Sequence, residues 1–349
     1  MSSLRNREIS ELLCVSAEQA PHTSQQRRAL RRAGRAALRW GEEATALVGA
    51  GRSLTELRAV GPWLARMIGS WLAEPPFVPE PPSIRHGFLT RAEVATILER
   101  TRATPEIRGD LQTHTLGSDG AASVRAMAEA AAARGLAYLA ITDHSKDLKI
   151  AGGMDEQALS RQGDEIRALN DELVDRLPGF RILRGVEMNL TPTGDGDLDP
   201  EFLATLDVVL GAFHSRLRVG EDQTDRYLAA LDNPTIHVLA HPRGRIFNFR
   251  LGLVADWPRV FERAHRNDRA IEIDAYPDRQ DVDVELLHLA RESGVRISIG
   301  SDAHATDQLA ALDYGIAAAR LADIPADRIV NCMSADELIS WTRSLGRRR

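Results

Sequence analysis

Read for its alternation of apolar and polar positions, the chain changes character near residue 109. Beyond it, short aliphatic runs alternate with longer amphipathic segments. The runs at 109–113, 138–142, 181–186, 207–213, 236–240, 270–273 and 296–299 predict strands, and their nearly continuous apolar character is that of parallel strands covered on both faces. Segments 122–135, 155–176, 224–230, 256–266, 282–292 and 305–318 carry helical periodicity. Seven strand–helix units over 109–345 predict an α/β fold, a closed or nearly closed (β/α)7 barrel. A doubly wound open sheet is the structural alternative.

Residues 1–73 carry helical patterns and predict a small all-α domain. A short helix is expected at 6–14 and a longer one at 24–40, "SQQRRALRRAGRAALRW". In the second, Arg28, Arg31, Arg32, Arg35 and Arg39 recur at three- and four-residue steps and form a basic stripe. Ala29, Leu30, Ala33, Ala37 and Trp40 supply its packing face. In 53–72 a short helix from Thr55 to Arg58 leads into a tight turn, Ala59-Val60-Gly61, and a helix with Pro62 in its first turn. Helix–turn–helix pairs of this kind can offer backbone N–H groups to a phosphate. The stretch "EPPFVPEPPSIRHGF" then holds five prolines. It is expected to be extended and stiff, and marks the domain boundary. The linker runs over 74–108 and ends in a helix capped by Thr90.

Charge sharpens this division. The net charge is -6, but residues 1–105 hold 15 Lys/Arg against 10 Asp/Glu, leaving a basic small domain beside an acidic large one. The acidic part suits cation binding and the basic part a polyanion. The N-terminus does not read as a signal peptide, and no run approaches 18 apolar residues, so a cytoplasmic protein without a membrane span is expected. Cys14 and Cys332 lie far apart in apolar surroundings and read as free thiols.

The histidines carry the chemistry. His114, His144, His214, His241 and His304 each follow a predicted strand, as do Asp119, Glu187, Asp274 and Asp302. Any one of these histidines alone reads as a structural or capping residue. In an α/β barrel, however, the loops leaving the strand C-termini share one face, so these residues would converge. Imidazole and carboxylate ligands suit Zn, Mn or Fe. The set exceeds what one tetrahedral ion needs, which implies two or three divalent cations with Glu187 as the natural bridge. His237 lies earlier in its strand and reads as structural, as do His22, His86, His265 and His288.

The segments "GDLQTHTLGSDG", "YLAITDHS", "ILRGVEMNL", "NPTIHVLAHPRGR", "IEIDAYPDRQD" and "ISIGSDAH" together resemble the PHP family, the polymerase-and-histidinol-phosphatase phosphoesterases. Within it they are most similar to the C-terminal PHP domain of bacterial family X DNA polymerases. The resemblance implies a distorted seven-stranded barrel with a trinuclear metal site. It places Gln112, His114, Glu187 and Asp302 around one metal, Glu187, His214 and His241 around a second, and Asp119, His144 and His304 around a third. Asp143 would orient a ligand from behind, and Asp274 is not expected to be one. Gln112 would bind more weakly than the histidine usual there. Residues 6–72 resemble that family's helix-hairpin-helix DNA-binding domain, with Arg28, Arg31, Arg32, Arg35, Arg39 and Gly61 as DNA contacts. Pro62, however, has no N–H for a phosphate. Residues 75–108 leave no room for a polymerase palm, so polymerase activity is not expected.

These features imply a phosphoester hydrolase in which a metal-bound hydroxide attacks phosphorus and Glu187 bridges the cations. Arg216, Arg243, Arg245, Lys146 and Lys149 follow ligand-bearing strands and are candidates for holding phosphate, Arg245 foremost. The implied substrate is a DNA 3' end, cut as a 3'-5' exonuclease or 3'-phosphatase. A small phosphorylated metabolite, handled by an enzyme resembling histidinol phosphatase, and a non-catalytic DNA-binding module are the alternatives. Oligomeric state is left open.

Overall fold

The computed structural model of the protein describes residues 4–19, 21–100 and 106–345. Two compact units emerge: Met1–Arg102 together with Ile246–Leu251, and Ala103–Arg245 with Gly252–Arg349.

The first unit is helical, with α1 (Asn6–Glu18), α2 (Ser24–Ala37), α3 (Ala44–Gly49), α4 (Pro62–Ala73) and α5 (Arg91–Arg100). Thr23 caps α2 reciprocally with Gln26: each side chain accepts the other's backbone N–H, at 3.2 and 2.9 Å. The apolar face of α2, Leu30, Ala33 and Ala37, packs with Ile9, Leu13 and Ala17 of α1 and Leu64 and Ile68 of α4. The arginine stripe is left outside, with Arg28, Arg31, Arg32 and Arg35 exposed and Arg39 half-buried.

Two details depart from the sequence reading. In the turn before α4 it is Ala59 that takes the left-handed conformation, at φ 65°. That costs about 1 kcal/mol for a residue with a Cβ. Gly61 is extended (φ -87°, ψ 174°) and caps α4, with open space where a Cβ would stand. The proline-rich stretch is not a free spacer either. Arg85 is buried, pairs with both oxygens of Glu11 at 2.8 Å and reaches Glu18 at 2.5 Å. Phe88 and Val94 are buried in the same unit. A buried guanidinium must be paired, and these partners tie the stretch to α1. Residues 101–105 of the expected linker lie outside the described residues. Thr90 caps α5, its hydroxyl accepting from the Glu93 N–H at 3.3 Å.

The second unit holds seven parallel strands: β1 (Gly109–Asp110), β2 (Tyr138–Ile141), β3 (Arg181–Asn189), β4 (Val208–Ala212), β5 (Val238–Ala240), β6 (Ala270–Asp274) and β7 (Arg296–Gly300). They pair in sequence order, β1 to β7, as expected for a barrel rather than an open doubly wound sheet. Between them run α6 (Val124–Ala133), α7 (Glu156–Leu173), the single turn α8 (Pro200–Leu203), α9 (Thr224–Asp232), α10 (Trp257–Arg266) and α11 (Val284–Ser293), and α12 (Leu312–Leu321) follows β7. The helix expected at 305–318 begins as a 3₁₀ segment, Thr306–Ala311.

Inward positions alternate along the strands. Tyr138 and Ala140, Val208, Leu210 and Ala212, and Val238 and Ala240 fill the interior with Val330, Leu338, Ile339, Trp341 and Leu345. The last four belong to α13 (Ala335–Leu345), a helix not anticipated from the sequence pattern. His237 belongs to this packing and not to a metal site: its Nδ1 accepts the Val209 N–H at 3.0 Å, and its ring lies 6.5 Å from Trp341.

The seam between β1 and β7 decides whether the sheet closes. On one side it is bridged by Thr113 and Ala303, with the His114 N–H donating to Ala303 O at 2.8 Å. On the other it is clamped by Asn331, which is fully buried. Its amide donates to Gly109 O (2.9 Å) on β1 and Ile299 O (2.8 Å) on β7, and accepts the Ile299 N–H (2.7 Å). One side chain thus satisfies three backbone groups across a gap too wide for a ladder. Among the described residues, no helix is long and apolar enough to cross a membrane.

Asn331→Ala strands those backbone groups in the core and is expected to cost about 2–5 kcal/mol of unfolding free energy in urea titration. A loss below about 1 kcal/mol would show that the seam closes without it.

Candidate metal centre

Glu187 points inward near the end of β3 and is 1% exposed. Four imidazoles meet it, two on each oxygen. His214 and His241 bring their Nε2 atoms to 3.0 and 2.7 Å of Oε1. His114 Nε2 and His144 Nδ1 lie 3.3 and 3.4 Å from Oε2. His144 and His214 follow β2 and β4, His241 follows β5, and His114 follows β1, so strand parallelism alone delivers them to one rim.

Two further carboxylates extend the cluster. Asp302 Oδ1 is 3.0 Å from His114 Nε2. Asp119 Oδ1 lies 3.6 Å from His144 Nε2 and 3.4 Å from His304 Nε2. The rings of His144 and His304 stack against His114, with centroids 4.4 and 4.3 Å away. Three groups of ligand atoms result, each gathered within 4.8 Å: His114, Asp119, His144 and His304; His144, Glu187 and His214; and His114, Glu187 and Asp302.

Several contacts orient the ligands. The His214 Nδ1 meets Asn189 Oδ1 at 3.1 Å, turning Nε2 to Glu187. His304 Nδ1 meets the Asp302 carbonyl at 2.8 Å, turning Nε2 to Asp119. The backbone is strained at two of these positions, His241 (φ 26°) and Asp302 (φ 51°), where the chain leaves strand geometry to aim a side chain. Asp143 serves the loop rather than a ligand. It accepts the Thr115 N–H (2.8 Å), the Thr115 and Ser118 hydroxyls (2.6 and 2.5 Å) and the Gln162 amide (2.6 Å), and so fixes the turn between His114 and Asp119.

The electrostatics couple the carboxylate to the imidazoles. Burial opposes charge on Glu187, yet the imidazoles of His144 and His241 outweigh it and hold the carboxyl well below its usual range. Burial likewise disfavours a charged His241, but Glu187 reverses this and raises it to about 9. Burial lowers His144 to about 4, leaving it a neutral donor at pH 7. The Nδ1 atoms of His114 and His144 are buried without a hydrogen-bond partner, as suits lone pairs meant for a metal.

Gln112 lies beside the shared carboxylate. Its Nε2 donates to Glu187 Oε2 at 3.1 Å, and Oε1 faces Gly300. That oxygen is buried without a hydrogen-bond partner, and exchanging the two ends of the amide would bring it to the Glu187 side.

Sequence reasoning passed over two residues. Arg279 brings Nη1 to 2.6 Å from Asp302 Oδ2 and 3.4 Å from Asp274 Oδ2. Burial alone would raise the Asp302 carboxyl, but this guanidinium holds it below its usual range. Glu272, wholly buried on β6, accepts the His241 N–H at 2.8 Å and so supports the strained backbone there. The only hint in the sequence was a pair of acids at alternate, inward positions of "AIEID". Asp274 accepts the Tyr276 N–H at 2.8 Å, and burial raises its carboxyl to about 7.

The expected phosphate-binding residues are mostly engaged elsewhere. Arg245 is 4% exposed and pairs with Asp283 at 2.6 Å, and Arg243 pairs with the same oxygen at 2.6 Å. Both arginines secure the segment after β5, and the adjacent acid on the start of α11 explains why. Lys146 is tied to Glu156 at 2.8 Å. Arg216 and Lys149 are exposed.

A model of the PHP domain matches residues 110–324. A DNA polymerase/3'-5' exonuclease PolX of Bacillus subtilis is 38% identical over 239 residues, 68% of this chain but 41% of its own length. The chain thus spans less than half of that relative. A probable phosphatase of Acetivibrio thermocellus is 31% identical over 232 residues, 64% of this chain and 90% of its own. Among solved structures, histidinol phosphate phosphatase from Lactococcus lactis, complexed with zinc, L-histidinol and phosphate, overlays with a TM-score of 0.45 at 16% identity, covering 62% of this chain and 94% of its own.

Glu187→Gln is expected to lower the affinity for divalent cations at least 100-fold in chelator competition followed by elemental analysis, because it disconnects two ligand groups at once. Gln112→Ala should retain the full metal complement. If Gln112→Ala loses a cation as completely as Glu187→Gln does, Gln112 is a ligand after all.

Proposed function

The chain belongs to the PHP domain family, and on that premise we propose that it is a metal-dependent phosphoester hydrolase acting on DNA 3' ends, as a 3'-5' exonuclease or 3'-phosphatase. The observation that carries phosphoester hydrolysis is the Glu187-centred ring of imidazoles and carboxylates. In this reading one divalent cation is held by His114, Glu187 and Asp302, a second by Glu187, His214 and His241, and a third by Asp119, His144 and His304. Mn, Zn and Fe all suit these donors. Such cations supply Lewis acidity to a phosphoryl group and activate water at neutral pH.

The protein's own part is positional. Glu187 keeps the first two ligand groups in register, and the Asp143-bound turn carries Asp119 to the third. Arg279 steadies Asp302. With Arg243, Arg245 and Lys146 paired, the exposed Arg216 and Lys149 are the cations left to meet a phosphoryl oxygen.

DNA is favoured because the relative named for a polymerase and exonuclease is 38% identical, against 31% for the probable phosphatase. The arginine-rich α2 supplies a surface for a polyanion, making the helical domain the DNA-binding part and 109–345 the hydrolytic part. No polymerase step is included, since residues 75–108 cannot hold a palm. The cytoplasm is the compartment this reading requires. A small phosphorylated metabolite is the second reading, supported by the phosphatase relative, of which the chain covers 90%.

With Mn²⁺ present, release of nucleotide or phosphate from 3'-labelled single-stranded and gapped oligonucleotides is expected, with turnover of histidinol phosphate at least 100-fold less efficient by kcat/KM. Efficient turnover of the small phosphomonoester with intact oligonucleotides would overturn the DNA assignment.

A further inference from the structure

The helical unit holds a cavity of about 670 Å³ whose lining is dominated by one residue type. Arg31, Arg32, Arg35 and Arg39 reach it from α2 and the turn after it, and Arg58 reaches it from the bend before α4. The one acid in the wall, Glu18, already pairs with Arg85 at 2.5 Å. Among the described residues, Arg31, Arg32 and Arg58 pair with no carboxylate. Guanidiniums gathered around one concavity repel one another, and low-dielectric walls strengthen that repulsion. An anion within it converts the cost into attraction.

Phe249 narrows the class of anion. It lies in the Ile246–Leu251 segment of this unit, lines the same cavity and is 52% exposed, whereas Phe247 beside it is buried with Leu38 and Phe88. A half-exposed ring beside several guanidiniums offers a flat apolar face and phosphate ligands together. That pairing matches the unit of a nucleic-acid strand, a base linked to a phosphate. The volume is in the range of sites that enclose a small organic group. Arg28, although on the same helix, does not line the cavity.

We propose that this cavity is a binding site for single-stranded DNA, which seats backbone phosphates on Arg31, Arg35 and Arg58 and one base against Phe249. The inference rests on the DNA reading above and goes beyond a general basic stripe. It separates arginines that line the cavity from one that does not, and adds a stacking residue. A free nucleotide shares the chemistry and is distinguished by competition.

The test uses the full chain, with fluorescence anisotropy of a labelled dT oligonucleotide, a matched duplex, and dTMP as competitor. Arg31→Gln/Arg35→Gln should weaken oligonucleotide binding at least 10-fold and reduce the salt slope by about 1–2. Phe249→Ala should weaken single-strand binding about 5- to 100-fold and leave duplex binding within about 2-fold. Arg28→Gln should stay within about 2-fold of the unaltered protein. Metal-dependent hydrolysis of bis-p-nitrophenyl phosphate should be the same in all variants, which reports an intact fold and centre. If the oligonucleotide binds but the double variant and Phe249→Ala leave its affinity unchanged, the cavity assignment fails and the DNA reading stands. If no oligonucleotide binds at all, both fail. Displacement by dTMP at concentrations comparable to the oligonucleotide would assign the cavity to a free nucleotide instead.

Discussion

One buried carboxylate governs the second unit. Glu187 sits inside the barrel with two imidazoles on each oxygen. A lone charge there would be too costly to bury, so the four histidines and the carboxylate are viable only together, and more so around cations. This places strict demands on the fold. Strands β1 to β5 must end at one level, the seam between β1 and β7 must close, and the chain must bend sharply just past two of the strands. The positive φ angles at His241 and Asp302 are the local cost of that convergence. Asn331 and the Thr113–Ala303 bridge are what hold the seam.

Beneath the ligands lies a second tier that handles charge and backbone orientation. Glu272 holds the His241 backbone, Asp143 holds the loop to Asp119, and Arg279 spans Asp274 and Asp302. Gln112 belongs to this tier through its hydrogen bond to Glu187. Its amide lies 3.1 Å from Glu187 Oε2 and so helps fix the shared carboxylate. The centre therefore relies on orientation of Glu187 as much as on the number of donors.

Much of this could be read from the chain because strands have a period of two and parallel barrels have one functional end. Those rules placed the strands within a few residues and gathered His114, His144, His214, His241 and His304 on one rim. What escaped were effects of partners distant in sequence. Arg245 follows a ligand-bearing strand, but Asp283 captures it from 38 residues away. Arg279 sits in a loop with no period to mark it, and its partner Asp302 lies on the next strand's end. Asn331 is an ordinary polar residue until two strand edges meet over it. In the helical unit, the expected turn Ala59-Val60-Gly61 has its left-handed residue at Ala59, which the sequence does not single out. The proline-rich stretch read as a spacer because composition reports stiffness and not the buried pairing of Arg85 with Glu11.

The proposed sharing of Glu187 between neighbouring cations can be measured. X-ray absorption fine structure at the metal edge of the fully loaded protein tests it directly. A shared carboxylate is expected to give a metal–metal scattering shell at about 3.5–4 Å, alongside imidazole and oxygen donors. A first shell of nitrogen and oxygen with no metal neighbour inside about 5 Å, at full occupancy, would contradict it.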